Sequence, residues 1–314
     1  MYKITQNEIE GFQFLELSSP DNKAKAVFCL NQGGRLAVLE FDGVNILADY
    51  PPDTYTSNYA SSILFPFANR IKDGKFHHEG KEHILFCNET EKNNALHGLV
   101  YDKLFECTKT DLTSDYGTLT LKYDNQGDCK GFPYKFQIDL KYTLTEDNFR
   151  LEVNISNADD QTFPFTLGWH PYFSTADLKK STLVFDGHQK YHCDEQQVVS
   201  GASPFDLQMP LLLKDLKFDD GFSLKSGAVE FITPKFKLDI SSSSHENYLQ
   251  LYTPPTPDII AIEPMTGVAD SFNNKIGLQT LAPEKTYSVH WNISFQKMNS
   301  DHKTNPTTTS LCNS

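Results

Sequence analysis

The amino-acid sequence predicts an all-β chain folded as a large antiparallel β-sandwich. Three observations carry the prediction. Apolar and polar residues alternate at period two in many short runs, apolar spacing of helical period is scarce, and Gly, Pro, Asn and Asp punctuate the runs at turn positions. No fixed-period repeat and no Gly-, Ser- or Pro-rich linker divides the 314 residues, so residues 1–298 read as a single domain. Residues 299–314 carry almost no apolar anchors and read as a mobile C-terminal tail.

Taken in order, Leu36 to Phe41, Asp42-Gly43 and Val44-Asn45-Ile46-Leu47 read as strand, turn and strand, because Asp-Gly supplies the positive φ a tight hairpin needs. Asn69-Arg70-Ile71-Lys72, Asp73-Gly74 and Lys75-Phe76 read as a second hairpin of the same kind, and Glu79-Gly80 turns the chain again. Leu119 to Tyr123 is a short strand. Phe136, Ile138, Leu140, Tyr142 and Leu144, then Phe149, Leu151, Val153 and Ile155, alternate with polar residues around Glu146-Asp147-Asn148, the pattern of an antiparallel pair with one wet face. Phe163 to Leu167 is a buried strand. Thr182 to Phe185, Val229 to Ile232 and Phe236 to Ile240 are further strands, Phe218-Asp219-Asp220-Gly221-Phe222 reads as an acidic hairpin loop, and Tyr287 to Phe295 alternates as a closing strand.

Composition narrows the partners. With 28 Lys and Arg against 41 acids the formal charge is -13, which disfavours nucleic acid and anionic membranes. The N-terminus lacks a signal-peptide core and no apolar run approaches the ~18 residues of a membrane helix. A cytoplasmic protein is expected, as monomer or homodimer. Cys29, Cys87, Cys107, Cys129, Cys193 and Cys312 are scattered without metal or redox spacing, as reduced structural thiols are.

Chemistry is sought in polar groups that interrupt the strand pattern. In Gly168-Trp169-His170-Pro171-Tyr172-Phe173 the proline holds His170 in extended backbone, aiming an imidazole that titrates near neutral pH out of an aromatic run; a hydrogen-bonded core histidine is the other reading. Phe65-Pro66-Phe67-Ala68-Asn69-Arg70 brings an amide and a guanidinium behind aromatics, fit either for vicinal hydroxyls or for an exposed strand. In Asn94-Ala95-Leu96-His97-Gly98 the glycine would let a ligand approach the backbone, or His97 is a turn residue. Ile259-Ile260-Ala261-Ile262 runs straight into Glu263, so its carboxyl ends a buried strand where desolvation would make it a competent base, or it is a solvated rim residue.

Jointly these segments resemble the aldose 1-epimerase family, the galactose mutarotase-like proteins. The resemblance runs from Gly33-Gly34-Arg35-Leu36 and Asp42-Gly43 through Asn69-Arg70, Leu96-His97-Gly98, Gly168 to Phe173 and Asp219 to Phe222 to Ile262-Glu263-Pro264, with Asp270 and Asn273 beyond. It implies a galactose mutarotase-like supersandwich with an open sugar cleft, a small-molecule sugar substrate and no cofactor or metal. By resemblance Glu263 takes the proton of the anomeric hydroxyl and His170 protonates the ring oxygen. His97, Arg70 and Asn69 bind and polarise the sugar, Asp219 holds ring hydroxyls, and Trp169, with Tyr172 and Phe272, is expected against the apolar face of a pyranose. Longer family members have a doubled glycine after the first histidine and a different pair before the second. Here Leu99 follows Gly98 and Trp169 precedes His170, which places the chain with the shorter bacterial-type branch. A free hexose is expected as substrate. The alternatives are a hexose 6-phosphate, a non-catalytic carbohydrate-binding protein of the same fold, which would not need a base paired with an acid, and a zinc site of His97, His170 and Glu263, which lacks a short metal spacing.

Overall fold

The computed structural model describes residues 1–48 and 50–298; the tail expected over 299–314 lies outside the described residues. Among those residues the strands form a five-stranded sheet, a 15-stranded sheet and short two-stranded ribbons, all antiparallel. The smaller sheet takes Lys3–Ile9, Phe12–Ser18, Ala24–Cys29, Arg35–Phe41 and Val44–Asn45 in sequence order. The last two are joined by the expected Asp42-Gly43 turn, with both residues at positive φ. In the larger sheet the closing strand Thr286–Lys297 lies between Asn148–Asn157 and Phe236–Ser242, which ties the end of the chain to its middle. Among the described residues no helix is long and apolar enough to cross a membrane.

The sandwich core follows from the alternation. Phe136, Ile138, Leu140, Tyr142 and Leu144 are buried and their neighbours are not, as period two dictates for a sheet with one face covered. The smaller sheet covers that face: Phe28 packs on Tyr142 with ring centroids 4.5 Å apart, and Phe41 stacks on Phe295 at 5.2 Å. Phe28, Phe41 and Tyr142 are fully buried, and each stabilises the fold by about 2–3 kcal/mol. The two sheets are also joined by one polar contact inside the core, where the Tyr142 hydroxyl donates to the Gly34 carbonyl at 2.9 Å. Gly34 is at φ +65, and a Cβ there would press on Leu121 and Phe105, so the turn that offers this carbonyl requires glycine.

Two expected hairpins are corrected. Asp73-Gly74 does turn the chain, with the Gly74 N–H donating to Ile71, but the strands on either side do not pair with each other. Arg70–Lys72 pairs with Asn94–Leu96, while Lys75–His78 pairs with Lys81–Ile84 through the expected Glu79-Gly80 turn. The backbone N–H of Lys72 is taken by the Asp270 carboxylate at 3.0 Å, which pulls the first strand away. Phe218 to Phe222 is not a loop either. Asp219–Ile232 is an interior strand with neighbours on both sides, and Asp220 is neutralised there by Lys190 at 2.8 Å, so pairing overrides the turn chemistry of Asp-Asp-Gly.

Tyr142→Phe strands the Gly34 carbonyl and is expected to destabilise the protein by about 1–2 kcal/mol. The shift is read as a lower urea midpoint at unchanged slope; an unchanged midpoint would show that the hydroxyl does not hold the sheets together.

Candidate active site

Strand register builds the floor of the site. Asp219, Gly221 and Ser223 stand opposite Tyr252, Gln250 and Tyr248, which in turn stand opposite Ala261, Glu263 and Met265. On the next strand Tyr172 pairs with Ala261 and Gly168 with Met265, which brackets His170 directly across from Glu263. The alternate residues Leu249, Leu251, Ile260, Ile262 and Phe173 are buried in the core, so the row Gly221, Gln250, Glu263 and His170 occupies the other face of the sheet. His170 is pinned by its own backbone, which donates to Ser62 at 3.1 Å and accepts from Ser61 at 2.7 Å.

The geometry brings together two groups 93 positions apart in the sequence. His170 Nε2 lies 3.6 Å from Glu263 Oε1, and the side chains are only 6% and 2% exposed. That is ion-pair distance, but burial favours the neutral forms. Desolvation, helped by the charge of Asp219 and opposed by Arg70, raises the Glu263 carboxyl well above the ordinary carboxylate range. Desolvation pushes the His170 imidazole down to about 4. Burial thus acts on the two groups in opposite senses, holding the imidazole neutral and favouring the protonated carboxyl. His97 completes the cluster, its ring edge-on to His170 at 5.0 Å. Burial, then the neighbouring His170 and Arg70, hold His97 neutral as well. Among the described residues the Nδ1 atoms of both histidines have no hydrogen-bond partner.

His97 is aimed by an unusual backbone. It is at φ +62 and its N–H donates to the carbonyl of Asn69, itself at φ +60. Gly98 follows at φ +78, and a Cβ there would lie 2.3 Å from the Phe65 carbonyl oxygen, so the segment approaches Phe65 too closely for any side chain. Arg70 is locked rather than loose. Its Nε and Nη2 donate to Glu89 at 2.9 and 2.8 Å, and Nη1 donates to Asn69 Oδ1 at 3.1 Å. The Glu89 bonds raise the arginine pKa although burial opposes them. Of five guanidinium N–H donors, three are used and two are left. Asp219 accepts from Gln250 Nε2 at 3.0 Å, and Asn69, Arg70, Asp219 and Gln250 line one recess beside the row of Glu263 and His170.

Trp169 is corrected: it is not at the sugar face. Its ring is buried in the core, stacked on Trp291 at 6.2 Å and packed on Phe149 at 6.3 Å. The alternation that points His170 into the cleft turns its neighbour the other way. Phe272 is likewise in the core, packed edge-on against Phe67 and Phe76. Tyr172 does reach the cluster and stacks on the His170 ring at 4.9 Å. Among the described residues no three His, Cys, Asp or Glu side chains are arranged to hold a metal ion, so the zinc reading of His97, His170 and Glu263 has no ligand set. Three residues not anticipated belong to the site: Gln250, Glu89 and Tyr59, whose ring packs on His97 at 4.8 Å. Gln250 had a weak signal, a polar side chain in the alternating run Tyr248 to Tyr252. Glu89 had none.

Fold and site together define an antiparallel β-sandwich with a buried carboxyl–imidazole pair beside a polar recess. The sequence profile of the family Aldose 1-epimerase matches residues 16–294, and the chain belongs to that family. It is 26% identical over 307 residues to the uncharacterized protein YihR of Escherichia coli, spanning 94% of this chain and 97% of YihR. It is 27% identical over 215 residues to the galactose mutarotase of Rattus norvegicus, spanning 62% and 59% of the two chains. The galactose mutarotase-like protein of Clostridium acetobutylicum has the same fold, with a TM-score of 0.85 over 95% of this chain and 99% of that one at 19% identity.

Glu89→Ala releases the guanidinium and removes its counter-charge. Binding of a sugar is expected to weaken roughly 10- to 100-fold, in line with about 1.5–3 kcal/mol for a hydrogen bond to a charged group, and the urea midpoint is expected to fall as well, because the mostly buried guanidinium loses its partner; calorimetric titration checks the first and denaturation the second. Gly98→Ala is expected to destabilise the protein by more than about 2 kcal/mol, since it adds the left-handed penalty to a backbone clash.

Proposed function

We propose that the protein is an aldose 1-epimerase, a cofactor-independent isomerase that interconverts the α and β anomers of a free, uncharged hexose. The observation that carries this reading is the buried Glu263–His170 pair at 3.6 Å. Opening a pyranose requires a base at the anomeric hydroxyl and an acid at the adjacent ring oxygen in one encounter. Sugar hydroxyls replace the missing water around Glu263, with the positive charge of Arg70 acting at longer range, which draws the shared proton toward His170. Glu263 then takes the proton of the anomeric hydroxyl as His170 delivers its own to the ring oxygen. The C1–O5 bond breaks, the C1–C2 bond rotates, and the same two groups exchange roles as the ring closes on the other face. His97, kept neutral, hydrogen-bonds the sugar without competing for the proton.

A neutral sugar is favoured over a hexose 6-phosphate by the charges around the cleft. Arg70 is already paired with Glu89 and Lys72 with Asp194 at 2.9 Å, and Asp219 stands on the same wall, so a phosphate would meet no uncommitted cation in this recess. Relatives named galactose mutarotase and maltose epimerase support a neutral aldose.

Purified protein is expected to accelerate mutarotation of α-glucose or α-galactose, followed by polarimetry or exchange NMR. Glu263→Gln and His170→Asn should each lose about 10²–10⁴ of the rate. No acceleration over buffer on any of a panel of aldoses and their 6-phosphates would overturn the proposal. The rate requires one proton on the pair, which sets the pH dependence. It falls as pH drops through about 4, where His170 gains a second proton, and falls again as pH rises through the elevated Glu263 value. An acid limb at the ordinary imidazole value of 6.5 would contradict this account.

A further inference from the structure

The recess beside the catalytic row has a far wall that the reaction above does not use. It is formed by the turn between the strands Thr182–Cys193 and Val199–Pro204, which places Gln197 in the same recess as Asn69, Arg70, Asp219 and Gln250. We propose that Gln197 is a specificity-determining residue whose side-chain amide binds a hydroxyl of the sugar at the end remote from C1. The proposal rests on the epimerase reading for the orientation of the sugar.

The polar neighbours of Gln197 are committed and its own amide is not. In the turn, the Asp194 carboxylate accepts from Lys72 at 2.9 Å and from the backbone N–H groups of Gln196 and Val198 at 2.9 and 3.3 Å. The Gln196 amide donates to Asp73 and to the Lys92 carbonyl, both at 3.1 Å. Gln197 is held at φ +61 with its N–H on the Asp194 carbonyl at 2.9 Å, but among the described residues its side-chain amide has no hydrogen-bond partner. The turn is strapped to the sugar-binding arginine as well. Asn94 Nδ2 donates both to the Gln196 carbonyl at 2.8 Å and to Glu89 Oε2 at 2.9 Å, the carboxylate that clamps Arg70. One network therefore fixes the position of Arg70 and of the backbone beside Gln197, which is the preorganisation a binding amide needs.

The dimensions agree. From Glu263 to Gly221 is two inter-strand steps, about 10 Å. Gly221 carries no side chain, and a Cβ there would press on Gln250 Oε1 at 3.2 Å, so the glycine keeps the floor low at this point. A hexose with C1 at Glu263 covers roughly the first of these steps, about 5 Å, so its distal hydroxyls lie over Gln250 and point across Gly221 toward Gln197. An amide there offers both donor and acceptor to a hydroxyl, which a carboxylate or a lysine does not.

The test compares wild type and Gln197→Ala on glucose and its 3-deoxy, 4-deoxy and 6-deoxy analogues, with mutarotation kinetics and calorimetric binding in parallel. Gln197→Ala should raise KM and Kd for glucose roughly three- to tenfold, the worth of one neutral hydrogen bond, with kcat within about twofold and the melting temperature unchanged. For one deoxy sugar the penalty should vanish, because the partner hydroxyl is gone. Equal constants for the two proteins, or the same penalty on every analogue, would overturn the proposal. Wild-type protein that binds glucose without turning it over would defeat the epimerase reading alone, and the binding comparison would still decide the role of Gln197.

Discussion

Water does not reach the carboxyl of Glu263, which stands in the middle of a strand whose opposite face, Ile260 and Ile262, is core. Ionising a carboxyl there with nothing to replace its hydration is unfavourable by several kcal/mol, so the group keeps its proton. His170 faces it under the same constraint and stays neutral. The rest of the site follows from this shared desolvation. In the proposed reaction the two groups can pass one proton back and forth because neither form is anchored by solvent, and a bound sugar would change the balance by supplying hydroxyls where water is largely excluded.

Holding the pair in that state falls to the sheet rather than to a loop. Strand pairing fixes Gln250 opposite Glu263, and Met265 and Ala261 bracket the strand position that His170 faces. A register slip of one residue on the Ile259–Met265 strand would put Ile262 in the cleft and drive Glu263 into the core, so apolar burial on one face enforces the chemistry on the other. The cations are treated differently. Arg70 and Lys72 each come with a dedicated carboxylate, which leaves their positions defined and the wall of the cleft close to neutral, a surface suited to hydroxyls.

Much of the architecture was legible because period two is a local property. The Phe136 to Leu144 and Phe149 to Ile155 runs pair in one ladder, and Tyr287 to Phe295 is a strand, as their alternation indicates. Long-range pairing was not legible. Asp219-Asp220-Gly221 has the composition of a turn, and nothing local shows that strands lie on both sides of it. Glu263 and His170 stood out as polar groups at the edge of apolar runs. Glu89 did not, because its role exists only once Arg70 has folded against it. Trp169 has the ring of a sugar platform but the opposite parity to His170, and on a strand the neighbour of a residue on one face lies on the other, here against Trp291.

The same desolvation bears on stability, and its two halves offset each other. In an unfolded chain the glutamate ionises above 4.5 and the histidine loses its proton above 6.5, whereas the fold raises the Glu263 value and lowers that of His170 to about 4. As pH climbs above 4.5 the unfolded glutamate ionises before Glu263 does in the fold, which lowers stability. As pH climbs from about 4 to 6.5 the folded His170 is already neutral while the unfolded histidine still holds its proton, which raises stability. The two slopes have opposite signs where they overlap, so the buried pair moves stability less than either group would alone, and a variant that removes only one of the two uncovers the slope of the other.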